Sequence, residues 1–171
     1  TAFAAACMLA LANLLRYLGV CDAKMEEGSL RCDANVSVHR PGEPWGARVE
    51  IKGVPRIPRI PLLVHHEAMR PWNLLRLRDE LHRRGITAET FRSESEDVTR
   101  LLHRTRYLPL RTALDAGLLA NAVGLRGYRG LLNWVTQTNT HFSREISDRV
   151  RVVACLTTLP NIVHSDSASE T

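Results

Sequence analysis

Apolar and polar residues alternate from Leu30 to Val38: Leu30, Cys32, Ala34, Val36 and Val38 fall on one side of an extended chain, and Arg31, Asp33, Asn35 and Ser37 on the other. Successive side chains of a strand point to opposite faces, so this period of two predicts a half-buried β-strand. The run Arg40-Pro41-Gly42-Glu43-Pro44-Trp45-Gly46 is dense in turn formers, and Ala47 to Lys52 alternates again, which predicts a hairpin. If Val38 and Ala47 begin the two arms, Asn35 faces Glu50, Asp33 faces Lys52 and Ser37 faces Arg48. All six lie on one face, with Asp33 diagonal to Glu50, while Val36, Val38, Val49 and Ile51 line the apolar back.

Before the hairpin, residues 2–18 carry Leu11, Leu14, Leu15 and Leu18 at helical spacing, closed by Gly19. After it, Val54 to Pro61 alternates prolines with Ile and Arg, a stiff connector that is neither central strand nor helix. A helix is predicted from Leu62 to Arg84, with Ala68, Trp72, Leu75 and Leu81 inward, a kink or restart at Pro71 and an end at Gly85. Glu89 to Glu96 is polar and reads as a boundary. Beyond it come a turn of helix at Val98 to Leu102, a strand at Tyr107 to Leu110, a glycine-punctuated run from Gly117 to Gly130, a helix from Ser143 to Val150 and a strand from Val152 to Leu156. These mixed elements lack a βαβ rhythm and predict an α+β fold, an antiparallel hairpin with flanking helices followed by a small α+β module.

An apolar fraction of 44% over 171 residues supplies one core or two small ones. The longest greasy stretch, Ala2 to Leu18, is broken by Asn13 and Arg16 and is too short for a bilayer. Thr1 stands inside a predicted helix, so an excerpt of a longer chain is expected, with no signal peptide and no membrane association. The formal charge is +5, and all but Lys24 and Lys52 of the 23 basic residues are arginine. Arginine's fixed fork suits phosphates and carboxylates, so a nucleic-acid or other anionic partner fits this charge, as does a composition bias of the genome. Cys7, Cys21, Cys32 and Cys155 are scattered without CxxC or zinc-ligand spacing, and are expected to be buried free thiols of a reducing cytosol. His65-His66 reads as surface or packing.

The polar hairpin face admits two readings. Asp33, Glu50 and Asn35, edged by Arg31, Arg48 and Lys52, offer hard oxygen donors for Mg²⁺ beside cations for phosphate oxygens. Antiparallel sheets also present solvated polar faces as a matter of course. The run "GLRGYRGLL", Gly124 to Leu132, has neither GxGxxG nor GxxxxGK[ST], and predicts a tight bend beside a packed Tyr128, with Arg126 and Arg129 available to a phosphate backbone. His82-Arg83-Arg84 reads as a solvated helix end.

The words "LRYLGVCDAKMEEGSLRCDANVSV", Leu15 to Val38, and "RVEIKG", Arg48 to Gly53, resemble the cradle domain in the B-type subunit of the bacterial and organellar aspartyl/glutamyl-tRNA amidotransferases. "LLRLRDELHRRGI", Leu74 to Ile86, and "DVT", Asp97 to Thr99, are more similar to the archaeal E-type subunit, and Asp97 to about Asp166 resembles its aspartyl-tRNA-synthetase-like insertion. The resemblance implies a partial cradle over residues 1–92 and a possibly truncated insertion over 93–171. It further implies a cytoplasmic enzyme subunit that uses ATP and Mg²⁺ to phosphorylate the side-chain carboxyl of Glu-tRNA(Gln) or Asp-tRNA(Asn), ammonia then coming from a partner amidase. Asp33 and Glu50 would belong to the catalytic metal centre, with Arg31, Asn35, Arg48 and Lys52 around the nucleotide. Further ligands are implied upstream of Thr1, so the chain alone is expected to be inactive. A rival from another class is a non-catalytic module that docks tRNA or a partner subunit.

Overall fold

A computed structural model of the chain describes residues 1–157 and 162–165. It is α+β, with helices and three separate two-stranded antiparallel ribbons. The chain divides into two compact units, residues 1–75 and 76–171. The far end of the expected insertion, at Asp166, lies outside the described residues.

In the first unit, α1 (Ala2–Tyr17) ends before Gly19, whose φ of +67° suits a helix terminus. Its inward face is Ala5, Met8 and Ala12; Leu11, Leu14 and Leu18 of the predicted stripe are exposed. Apolar residues nearly encircle this helix, so spacing alone does not select a face. The turn that follows is held by side chains: Arg16 Nε donates to the Asp22 carbonyl at 2.9 Å, and the Ser29 hydroxyl donates to the Asp22 carboxylate.

The hairpin pairs β1 (Ala34–Val36) with β2 (Val49–Ile51) in the register Ala34 to Ile51, Asn35 to Glu50 and Val36 to Val49. This is the predicted register on much shorter strands. The loop turns at Arg40–Glu43, where the Glu43 N–H donates to the Arg40 carbonyl at 3.0 Å and Gly42 has φ +81° after Pro41, as a type II turn requires. Gly46 lies so close to the other arm that a Cβ there would run into the Val38 carbonyl.

The proline-rich connector is built differently from expectation. Ile57–Arg59 forms a 3₁₀ turn that leads into α2 (Ile60–Arg83), with Pro61 in the helix's first turn, where a missing N–H costs nothing. The three-residue repeat of that turn buries Val54, Ile57 and Ile60 with Ala12 and Ala23, while Pro55, Arg56, Pro58 and Arg59 face solvent. Met8, Met25, Leu30, Cys32 and Ile51 pack against this core. α2 runs unbroken through Pro71, so there is no restart. Trp72 is on its exposed side, and Leu77 is the residue most deeply buried on it.

In the second unit, α2 ends at Gly85 (φ +74°), with the Ile86 N–H bonded back to the Leu81 carbonyl at 2.9 Å. The polar stretch expected as a boundary leads into a strand: β3 (Ser93–Asp97) pairs with β4 (Asn121–Leu125) as an exposed ribbon. Backbone pairing satisfies such a ribbon without an apolar face. The predicted strand at Tyr107 to Leu110 opens α3 (Leu108–Asp115), where Pro109 fits the first helical turn. A tight ribbon absent from the expectations, β5 (Val135–Gln137) and β6 (Thr140–His141), turns at Asn139 (φ +60°) and buries Thr136. α4 (Phe142–Val153) continues through the start of the predicted last strand, and Ala154 and Cys155 form its terminal turn. The cysteines are free, but Cys7 and Cys155 are exposed and Cys21 and Cys32 only half-buried, contrary to the expectation. His65 and His66 are exposed. Among the described residues no helix is long and apolar enough to cross a membrane.

The core assignment makes a direct prediction. Ile60→Ala should cost about 2–5 kcal/mol in urea unfolding, whereas Leu62→Ala, two residues on and exposed, should stay within about 0.5 kcal/mol. Equal losses would refute the placement of Ile60 in the core.

Candidate functional site

The site grows out of the hairpin register. Cross-strand partners share a face, so pairing puts Asn35 and Glu50 side by side on the side opposite buried Val36. Asp33 and Lys52 follow the same alternation and are likewise exposed. The ladder itself stops short of the Asp33–Lys52 and Ser37–Arg48 pairs. At one end the Ser37 hydroxyl donates instead to the Gly46 carbonyl at 2.8 Å. At the other, Gly53 adopts φ +63° and inserts itself as an extra residue, so that the Val54 N–H bonds the Cys32 carbonyl at 3.0 Å, one position out of register.

That bulge leaves the Gly53 N–H without a ladder partner, and Asp33 supplies one: its Oδ1 accepts from Gly53 at 2.7 Å. Arg31 closes on the same carboxylate, Nη2 standing 3.2 Å from Oδ2. The Gly53 N–H, opposed by desolvation and aided by Arg31 and the nearby Lys52 charge, holds the Asp33 carboxyl below the usual carboxylate range. Glu50 is more open, its side chain 48% exposed against 28% for Asp33, and Lys52 Nζ lies 3.5 Å from its Oε2. The six expected residues therefore form one exposed face on which each acid is already partnered by a base two residues away; Arg48 sits exposed at its edge.

The donor chemistry of this face fits a hard cation. Mg²⁺ takes one or two carboxylates and completes its octahedron with water and phosphate oxygens, and Asp33, Glu50 and the Asn35 amide are such donors. Among the described residues no group of three or more His, Cys, Asp or Glu converges into a metal cage. Sequence reasoning missed the anchoring of Asp33 by the Gly53 backbone; the only trace of it was a glycine at the end of an alternating run.

The second candidate, Gly124 to Leu132, is a packed bend. Tyr128 meets Phe91 edge-on at 5.8 Å, Arg84 Nη1 donates to the carbonyls of Gly127 and Arg129 at 2.8 Å each, and Arg126 pairs with Glu94. Arg83 and Arg84 both bond Glu80, whose carboxyl is pulled down to about 2, so this helix end is a knot of bonds and not simply a solvated terminus.

Residues 1–124 match the family model described as the GatB/GatE catalytic domain. The chain is similar to the E-type subunit of glutamyl-tRNA(Gln) amidotransferase from Caldivirga maquilingensis, 34% identical over 81% of this chain and 21% of the relative. It is similar also to the E-type subunits of the same enzyme from Pyrococcus horikoshii, 37% identical over 81% of the chain and 20% of the relative, and from Saccharolobus solfataricus, 36% identical over 92% and 24%. The chain thus spans about a fifth to a quarter of the length of these relatives.

The depressed Asp33 pKa carries a sign. A carboxyl lowered in the folded state stabilises the fold above its unfolded value of about 3.9 and loses that contribution as pH falls through the folded value. Wild type should therefore exceed Asp33→Asn in urea-unfolding stability at pH 7, with the gap closing below about pH 4. A gap that is constant with pH would show that the Asp33 charge is not engaged.

Proposed function

The chain belongs to the GatB/GatE catalytic-domain family, and on that premise we propose that it is the part of a tRNA-dependent amidotransferase subunit that contributes Asp33 and Glu50 to an ATP- and Mg²⁺-using site. The substrate is Glu-tRNA(Gln) or Asp-tRNA(Asn), the reaction phosphorylation of the side-chain carboxyl before amidation, and a partner amidase supplies the ammonia. The observation that carries this reading is the register that sets Asn35 against Glu50 with acids and bases gathered on one exposed face. Residues 1–92 are read as part of the cradle and 93–171 as the inserted domain.

Bound Mg²⁺ and ATP supply charge neutralisation and the phosphoryl group; Asp33 and Glu50 are the residues to hold the metal. Phosphoryl transfer asks for positioned cations more than for a protein nucleophile. Arg31 and Lys52 now neutralise the two acids, and with Arg48 they are the donors that would turn to phosphate oxygens, leaving the carboxylates to the cation. Asn35, opposite Glu50, offers a neutral amide to fix that carboxylate's orientation. With Asp33 Oδ1 engaged by the Gly53 N–H, Asp33 would hold the metal through its other oxygen once Arg31 turned to phosphate.

A second reading, a module that binds tRNA or a partner subunit without catalysis, is favoured by one fact: both oxygens of Asp33 already have partners, in Gly53 and Arg31. The two are separated in the assembled amidotransferase carrying this chain by ATP hydrolysis stimulated with Glu-tRNA(Gln). Glu50→Gln, at an exposed position, should lower that turnover by about 10²-fold without loss of folding, the scale expected for one precisely placed electrostatic group. Unchanged turnover would leave the binding module.

A further inference from the structure

From residue 98 to residue 114 the chain carries Arg100, His103, Arg104, Arg106 and Arg111 and not one Asp or Glu. Several arginines elsewhere in the second unit find carboxylates: Arg83 and Arg84 on Glu80, Arg126 on Glu94, Arg144 on Asp148. Among the described residues none of the four arginines of this segment pairs with an acid, and all four side chains are exposed, as is His103. His103 Nδ1 instead bonds the Arg100 carbonyl at 2.7 Å, within the segment itself.

The segment is nevertheless held in place. The Val98 N–H donates to the Ala120 carbonyl at 2.9 Å, and the Ala120 N–H to the Thr99 hydroxyl at 2.9 Å, tying it to the end of the β3–β4 ribbon. Asp97 accepts from the Thr99 N–H at 2.9 Å, and Leu101, Leu102 and Thr105 bond back in successive turns. Next to the cations stands Tyr107, 50% exposed, at the start of α3. A run of exposed, unneutralised arginines on an anchored backbone, with an exposed tyrosine in the same segment, is a combination that binds nucleic acid, the forks meeting phosphate oxygens and the ring offering a face for stacking.

We propose that residues 100–111 form an RNA-binding surface that grips the phosphate backbone through Arg100, Arg104, Arg106 and Arg111. An acidic protein is a poorer fit: the guanidinium fork meets carboxylate and phosphate alike, but the exposed Tyr107 ring adds a stacking face that a base uses and a run of carboxylates does not. This deepens the function proposed above, since it rests on a tRNA being the substrate, and assigns that tRNA a contact in the second unit.

The test is binding of an uncharged tRNA transcript to the whole protein, followed by fluorescence anisotropy across a salt series. The variant R100Q/R104Q/R106Q should weaken binding about tenfold or more near physiological salt and flatten the plot of log affinity against log salt by about two to three. R56Q/R59Q/R149Q removes the same charge from exposed positions elsewhere and should change affinity less than about twofold. Ultraviolet crosslinking of the tRNA to the unaltered protein should map to residues 100–111, which keeps the proposal testable if the triple variant folds poorly. Equal weakening by both triples, no weakening by the first, crosslinks elsewhere, or equally good competition by poly-glutamate would overturn it. Glu50→Gln turnover, measured at saturating tRNA, reports on the other site alone, so failure of this surface and failure of the proposed reaction are separately visible.

Discussion

Asp33 and the backbone N–H of Gly53, twenty residues apart, hold each other at 2.7 Å, and the site in the first unit depends on that bond. A bulged glycine ends the pairing of β1 and β2 with one donor left over. That donor is exposed, so the bond is not forced by burial; a carboxylate meets it in place of water, and a charge-assisted bond is the stronger one. Asp33 accepts, and in doing so it fixes the direction of the strand end that carries Lys52 and, one residue further in, the pairing of Ile51 with Ala34. The apolar side of the same ribbon, with Val36 buried and Ile51 against the core of Val54, Ile57 and Ile60, then leaves the polar side no choice but to face outward.

This arrangement gives the two acids different characters. Asp33 is tightly engaged, one oxygen serving the backbone and both approached by Arg31; Glu50 is open and only loosely paired with Lys52. A site built this way carries its own counter-charges, and under the proposed function those same cations would serve as donors to phosphate oxygens. The acids and bases are thus a stored set of exchangeable pairs, which is also why an ordinary solvated sheet face looks so similar to it.

The hairpin was legible in the sequence because strict alternation on both arms and a Pro-Gly turn fix a register that cannot slip by one without turning Val36 to solvent. The face of α1 was not, since Ala and Leu surround that helix and it is the small residues Ala5 and Ala12, not the leucines, that come close to the connector. Ser93–Asp97 was hidden because an exposed ribbon needs no apolar period, and Tyr107 to Leu110 misled because strand-forming side chains there precede a proline that suits the first turn of a helix. Of the site, the six residues and their shared face could be read from period two. The Gly53 anchor could not, because it depends on a positive φ that only the folded backbone reveals.

The most direct test is the amide proton of Gly53, followed by NMR as pH is lowered. Bonded to the Asp33 carboxylate, its shift should move in a single titration whose midpoint lies below the ordinary aspartate value of about 3.9, and Asp33→Asn should abolish that step. A Gly53 amide that ignores pH, or titrates at the ordinary value, would mean that the carboxylate is free, and the anchored hairpin face on which the candidate site rests would be wrong.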